Sequence, residues 1–179
     1  PAYLNDLLAR EDRRYADFAL DYVTRHHPSD PRFVEPVCRI LENGQRDQIE
    51  PSLKFLGRAI PDKRRLHARL IESCCRMRSV DCPIVLQELD AEGDLPATTI
   101  EGLTGRLSEL EFFPIHLILR MLEERKFASQ RTISDVAALL DGDNFFIARR
   151  AYEHLAKQNL GNDTQDKVNA FFERNRGRL

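Results

Sequence analysis

The chain has 179 residues, a formal net charge of −2, 42% hydrophobic residues and 31% charged residues. This length and composition are typical of a folded domain with a sizeable core, and they exclude a largely disordered chain. The charge balance argues against a dedicated nucleic-acid-binding protein, whose affinity depends on a strong basic excess that contacts phosphates. No apolar run approaches the length of a membrane-spanning helix and no secretory leader is visible, so a cytoplasmic protein without a membrane span is expected.

Helices are predicted along the whole chain, which makes the expected fold all-α. Apolar residues recur at i, i+3, i+4 and i+7, as they do between Ile115 and Leu122, and this spacing is that of one helical face. In chain order, the predicted elements are one or two helices from Leu4 to Arg25, helix pairs over residues 31–59, 62–91, 97–126 and 131–158, and a last helix from about Thr164 to Arg174.

Short polar residues indicate where several of these helices begin. Asp30, directly before a proline, and Asp62, directly after one, suit the N-cap position. Thr98 and Glu101 have the spacing of a capping box. The Asn-Asp-Thr triplet at 162–164 is a glycosylation sequon, but it is better explained as a cap for the last helix.

The four helix pairs share an internal repeat of 33 residues. Thr99-Ile100 matches Thr132-Ile133, and Phe112-Phe113 matches Phe145-Phe146, both at this offset. Four further columns follow the same period: Val37, Leu70, Leu103 and Val136; Leu41, Cys74, Leu107 and Leu140; Leu53, Leu86, Leu119 and Tyr152; and Leu56, Leu89, Leu122 and Leu155. The last column is expected to be buried at equivalent places in all four pairs.

The period and its flanks predict a single helical-repeat domain over residues 1–179. Capping segments are expected at about 1–30 and 159–179, because the first and last helices do not fit the columns. About four antiparallel helix pairs lie between them.

The helix pairs resemble HEAT-like repeats in divergent form. Asp143, Ile147, Ala151 and Leu155 stand where such repeats place an acidic, a branched apolar, a small and a leucine residue. Ala148 departs from the pattern, since an arginine usually follows the branched residue. The resemblance implies a short right-handed α-solenoid whose second helices line a concave surface, and a role as a scaffold or protein-binding module. A minority of HEAT-like proteins act on DNA as alkylpurine glycosylases or on pigments as phycobilin lyases.

No residue pattern indicates a catalytic centre, a metal site or a cofactor. The four cysteines, at positions 38, 74, 75 and 82, lack the paired spacing of a zinc site, and Cys38 and Cys74 are expected in the core. The tract from Asp90 to Glu101 imitates a calcium loop but has Leu95 where that loop needs glycine, so an acidic turn between helices is favoured. None of the five histidines lies in a metal or catalytic motif.

A partner-binding surface is predicted from the positions of the second helices that the core does not use. Arg120 and Arg149 are the leading choices, because arginine is enriched at binding hot spots. The rows mix both signs of charge, which suits a protein or peptide partner better than a phosphate backbone. The two outward columns are Glu50, Pro83, His116 and Arg149, and Lys54, Gln87, Arg120 and Glu153.

An alternative surface is the basic side of the helix predicted from residue 62. It is either an ordinary solvated face or a patch for an acidic peptide or for nucleic-acid phosphate. Its members are Lys63, Arg64, Arg65, Arg69, Arg76 and Arg78. Two further functions therefore stay open beside the protein-binding module, namely a nucleic-acid-binding solenoid and a lyase-type enzyme subunit.

Overall fold

All regular secondary structure in the described chain is helical. The computed structural model describes residues 2–179, which form eleven α-helices and three short 3-10 turns with no β-strand among them. The prediction of an all-α fold is confirmed. The helices are α1 (Ala2–Leu8), α2 (Arg13–His26), α3 (Val34–Asn43), α4 (Arg46–Ala59), α5 (Lys63–Arg76), α6 (Cys82–Asp90), α7 (Ala97–Thr104), α8 (Phe112–Arg125), α9 (Gln130–Ala138), α10 (Phe145–Leu155) and α11 (Asn162–Asn175).

Two aspartates begin helical segments as predicted. The Asp30 carboxylate accepts from the backbone amide of Arg32 at 3.0 Å, at the start of a 3-10 turn that leads into α3. The Asp62 carboxylate accepts from the amides of Arg64 and Arg65 at the start of α5. Both side chains satisfy amides that the first turn of a helix leaves free.

Two other predicted caps are wrong. Helix α7 has no side-chain cap, so Thr98 and Glu101 form no capping box. The Glu101 carboxylate instead accepts from the Ser129 hydroxyl at 2.9 Å, which ties α7 to the start of α9. The triplet at 162–164 supplies no cap either, because Gly161 occupies the N-cap position and α11 starts directly after it.

The acidic tract after α6 forms the inter-helix turn that the sequence favours. Gly93 adopts a positive φ of 63°, where a side chain would be strained. The Arg125 guanidinium donates to the carboxylate and to the backbone oxygen of Asp90, each at 2.8 Å, and also to the backbone oxygen of Gly93. This arginine therefore holds the turn closed from the end of α8.

Helices in each of two compact units pack on the helix two positions further along the chain. One unit ends at Leu89 and the other spans Asp90–Leu179. In the first unit, α1 contacts α3, α2 contacts α4, and α3 contacts α5, while α1 with α2 and α3 with α4 form adjacent pairs. In the second unit, α7 contacts α9, α8 contacts α10, and α9 contacts α11, with α7 and α8, and α9 and α10, as adjacent pairs.

Most side-chain hydrogen bonds between these alternate helices join residues 31 or 34 positions apart, and the bonds from Arg150 to Glu123 are an exception at 27. In the second unit, for example, the Thr104 hydroxyl donates to the Asp135 carboxylate at 2.8 Å. Such bonds fix how far one helix can slide along the other. The bonds at a separation of 31 are Gln48 to Asp17, Arg69 to Cys38, Ser73 to Glu42, Thr104 to Asp135 and His154 to Glu123, and Arg150 to His116 has a separation of 34.

The leucine column that the sequence places in the core is buried throughout. Leu56, Leu89, Leu122 and Leu155 are each at most 2% exposed. Members of the other columns are also buried, with two exceptions that are half-buried, Leu53 and Tyr152. Cys38 and Cys74 are buried as expected.

Truncation of a buried column leucine should be costly in either unit. We expect Leu56→Ala and Leu155→Ala each to lower the free energy of unfolding by about 2–5 kcal/mol, because each change leaves a cavity in a packed interior. Urea unfolding followed by circular dichroism measures the loss. Phe146→Ala is the matched control, since Phe146 is 68% exposed and its truncation should stay within about 0.5 kcal/mol. A loss below about 1 kcal/mol at both leucines would contradict the expected packing.

Candidate protein-interaction surface

The outward sides of α8 and α10 form the candidate surface, called here the α8–α10 face. Its members recur along each helix at i, i+3, i+7 and i+11, and each α10 member lies 33 residues after its α8 counterpart. All of them are exposed or half-buried. The members are Phe113, His116, Arg120 and Glu124 on α8, and Phe146, Arg149, Glu153 and Lys157 on and just after α10.

Aromatic side chains crowd the N-terminal end of this face. Phe112, Phe113 and Phe146 are 41%, 54% and 68% exposed. Phe145 is half-buried and meets Phe146 edge-on, with 5.9 Å between ring centroids. Bonds join α8 and α10 in the same order along both helices, from His116 to Arg150 and then from Glu123 to His154, so their N-terminal phenylalanines lie at the same end of the unit. An exposed apolar group of this kind marks interaction surfaces in soluble proteins.

The predicted arginines lie on the α8–α10 face within exposed ion pairs. Arg120 pairs with Glu124 at 3.3 Å, and Arg149 pairs with Glu153 at 2.9 Å, each one turn along its own helix. Such exposed pairs contribute only a few tenths of a kcal/mol. Either guanidinium can therefore leave its ion pair at little energetic cost.

A partly buried polar network lies beside these arginines and joins α8 to α10. Arg150 donates to both oxygens of Glu123, at 3.0 and 3.1 Å, and to Nδ1 of His116 at 3.3 Å. The Arg150 side chain is only 11% exposed. His154, which is 2% exposed, bonds to the same carboxylate at 3.2 Å. The network therefore fixes the position of α10 relative to α8 and, with it, the arrangement of the face.

Burial and charge shift two pKa values in this network. Burial lowers the pKa of His154 below 6.5 and outweighs the opposing hydrogen bond and charge of Glu123. Burial alone would raise the pKa of Glu123, but the hydrogen bonds and charge of Arg150, together with the bond to His154, hold it below 4.5. In the folded protein His154 is therefore neutral and Glu123 charged at neutral pH.

In the first unit, three of the four predicted outward positions are exposed and one is buried. Glu50 and Lys54 are accessible and line a groove of about 460 Å³ between α2 and α4. Gln87 is exposed on α6. The outward placement of Pro83 is wrong, because Pro83 is buried. The first turn of α6 is apolar on all sides, and Pro83 is buried there together with Cys82 and Val85.

A stripe of exposed aromatic residues on α2 was not predicted. Tyr15, Phe18 and Tyr22 are 43%, 59% and 38% exposed. The rings of Phe18 and Tyr22 lie 6.1 Å apart, and that of Tyr22 lies 4.5 Å from the ring of His26. The signal in the sequence is the i, i+3, i+7 spacing of these aromatics beside a separate buried face of alanine, leucine and valine.

The alternative basic face on α5 is largely committed to ion pairs. Arg69 is held between Glu35 and Glu72 and also donates to the Cys38 thiol at 3.3 Å. Arg76 and Arg78 likewise pair with acidic residues, Glu72 and Glu42 for the first and Asp81 for the second. Lys63, Arg64 and Arg65 are exposed in the first turn of α5. A phosphate would have to displace carboxylates from at least three of the six cations, namely Arg69, Arg76 and Arg78.

Over residues 2–179, no group of three or more histidine, cysteine, aspartate or glutamate side chains is placed to hold a metal ion. Within the same range, no helix has the length and apolar character needed to cross a membrane. Comparison of the chain with protein-family models, curated proteins and solved structures finds no match. Functional inference therefore rests on the surface itself.

The buried histidine should make stability depend on pH. Because the folded pKa of His154 lies below 6.5, its contribution to the free energy of unfolding is complete above pH 6.5 and is lost as pH falls toward the folded value. Glu123 adds a second loss below pH 4.5, since its folded pKa is also depressed. We expect the free energy of unfolding of the wild type, measured by urea titration, to fall from about pH 7 to about pH 5. In His154→Gln the free energy of unfolding should change less over the same pH range. An unchanged dependence on pH in this variant would assign the effect to another group.

Proposed function

We propose that the chain is a protein-interaction module built from HEAT-like helix pairs, and that the outward sides of the second helices bind its partner. Three features support the repeat. Alternate helices pack on each other within each unit. Most of their side-chain bonds join residues 31 or 34 positions apart, close to the 33-residue period of the sequence. The leucines of one column are buried in all four pairs.

The distribution of exposed hydrophobic side chains carries the proposal. Of the nine large hydrophobic residues exposed in the described chain, four lie on α8, on α10 or two residues before α6, and three more lie on α2 in the N-terminal segment. Val80, 67% exposed just before α6, lies 33 residues before Phe113. The exposed residues of this group are Tyr15, Phe18, Tyr22, Val80, Phe112, Phe113 and Phe146.

The α8–α10 face has the composition of a protein-binding surface. Aromatic residues and arginine are enriched where protein partners bind, and buried anchors there are surrounded by polar groups that exclude water. Phe113 and Phe146 would serve as the anchors. The mixed charges of Arg120, Arg149 and Glu153 along the helices would form the polar surroundings.

Removal of the aromatic anchors should abolish partner capture. The experiment immobilises the wild-type chain, identifies proteins that it retains in stoichiometric amount from cells that produce it, and repeats the capture with Phe113→Ser/Phe146→Ser. We expect at least about a tenfold loss of the retained partner, because hot-spot aromatics contribute more than about 1.4 kcal/mol each. Tyr3→Ser is the matched control, since Tyr3 is as exposed as Phe146 but lies on α1. Equal capture by the serine variant and the wild type would refute the proposal.

Charge reversal should distinguish the α8–α10 face from the basic face of α5. We expect Arg120→Glu/Arg149→Glu to weaken binding of the purified partner at least about tenfold, as measured by isothermal titration calorimetry, since each change also places a glutamate beside an existing one. Arg64→Glu/Arg65→Glu carries the same charge change on α5 and should leave the affinity within about twofold. The opposite pattern would move the site to α5, and retention of duplex DNA in place of a protein would then favour the nucleic-acid alternative.

A further inference from the structure

The aromatic end of the second unit is bordered by acidic side chains. Glu111 directly precedes α8, and Asp143 lies two residues before α10. Both are exposed, and neither is joined to a cation by an ion pair within residues 2–179. The phenylalanines therefore lie beside two carboxylates that no cation of the described chain neutralises by an ion pair.

One phenylalanine of this end already carries a guanidinium. The Arg178 side chain, which follows α11, lies over the ring of Phe145 with 4.0 Å between its central carbon and the ring centroid. The same arginine lines a groove of about 310 Å³ together with Asp141 and Asp143. This contact within the chain shows that a guanidinium can stack on a phenylalanine ring at this end of the unit, close to carboxylates.

We propose that this end of the second unit docks a basic segment of the partner protein, in which arginine or lysine alternates with apolar residues. The partner's apolar side chains cover Phe113 and Phe146, and its cations stack on the rings and approach Glu111 and Asp143. Arg178 occupies the Phe145 ring until such a segment displaces it. This inference rests on the proposed function and adds the chemistry of the partner.

Defined peptides test the inference whatever the identity of the partner. The probes are fluorescein-labelled peptides about twelve residues long, of alternating arginine and leucine, alternating glutamate and leucine, and alternating arginine and serine, titrated with the whole chain and followed by fluorescence anisotropy. We expect the arginine–leucine peptide to bind at least about tenfold more tightly than either of the others. Phe113→Ser/Phe146→Ser, which leaves the net charge unchanged, should weaken that peptide at least about tenfold. Glu111→Gln/Asp143→Asn should weaken it and reduce the salt dependence of its affinity.

Replacement of the internal arginine provides a test in the opposite direction. Arg178→Ala should strengthen binding of the arginine–leucine peptide about two- to fivefold, the size expected of one exposed cation–π contact. Arg176→Ala is the matched control, because it removes the same charge from an exposed position of the same segment. Equal strengthening by the two variants would show an effect of net charge alone and would overturn the role of Arg178.

Two outcomes separate this inference from the proposed function. If the partner is still lost from Phe113→Ser/Phe146→Ser while the glutamate–leucine peptide binds as tightly as the basic one, the docking chemistry proposed here is wrong and the interaction surface stands. If neither partner capture nor peptide binding responds to the phenylalanine changes, both proposals fail together.

Discussion

The packing of alternate helices on each other within each unit is the constraint on which the rest depends. A single amphipathic helix pair cannot bury its apolar face alone, and a second pair placed beside it removes that face from water. In the second unit the contact between α8 and α10 also contains the carboxylate of Glu123, shared by Arg150 and His154. Sliding one helix along the other would leave this charge without its partners in a partly buried site, which is unfavourable. Polar contacts therefore set the register that apolar burial alone would leave loose.

The same register produces the candidate surface. Bonds between α8 and α10 join residues 31 and 34 positions apart, so turns separated by about that distance in the sequence lie side by side in the unit. The two Phe-Phe dipeptides, each at the start of a helix, are thereby brought to one end. Two neighbouring helices that each expose one or two phenylalanines thus gather them into a group, although single exposed apolar residues are common on protein surfaces.

Much of the fold was predictable from the sequence, and the failures have physical causes. Helical periodicity placed most helix boundaries within a few residues, because most of the helices have one clear apolar face. Thr98 was assigned to a cap that does not form, since the sequence could not show that Glu101 is bonded to Ser129. The inward turn of Pro83 was missed because the first turn of α6 has no polar side to fix its orientation. Such contacts between distant segments are outside what local pattern can establish.

The site was predicted in its polar part and missed in its aromatic part. Arg120 and Arg149 were predicted because they occupy helix positions that the core does not use. The next residue, Arg150, lies one position further around the helix and bonds to Glu123 in the partly buried network, whereas Arg149 pairs with Glu153 on the exposed side. The phenylalanine pairs were visible as the strongest sign of the repeat, yet a shared apolar residue is normally taken as core. Their exposure became apparent only from the structure, where Phe146 faces solvent and Phe145 is covered by Arg178. Arg178 covers the Phe145 ring with an exposed cation–π contact. A partner's cation that replaces this arginine would break only that one contact and would leave the helices folded.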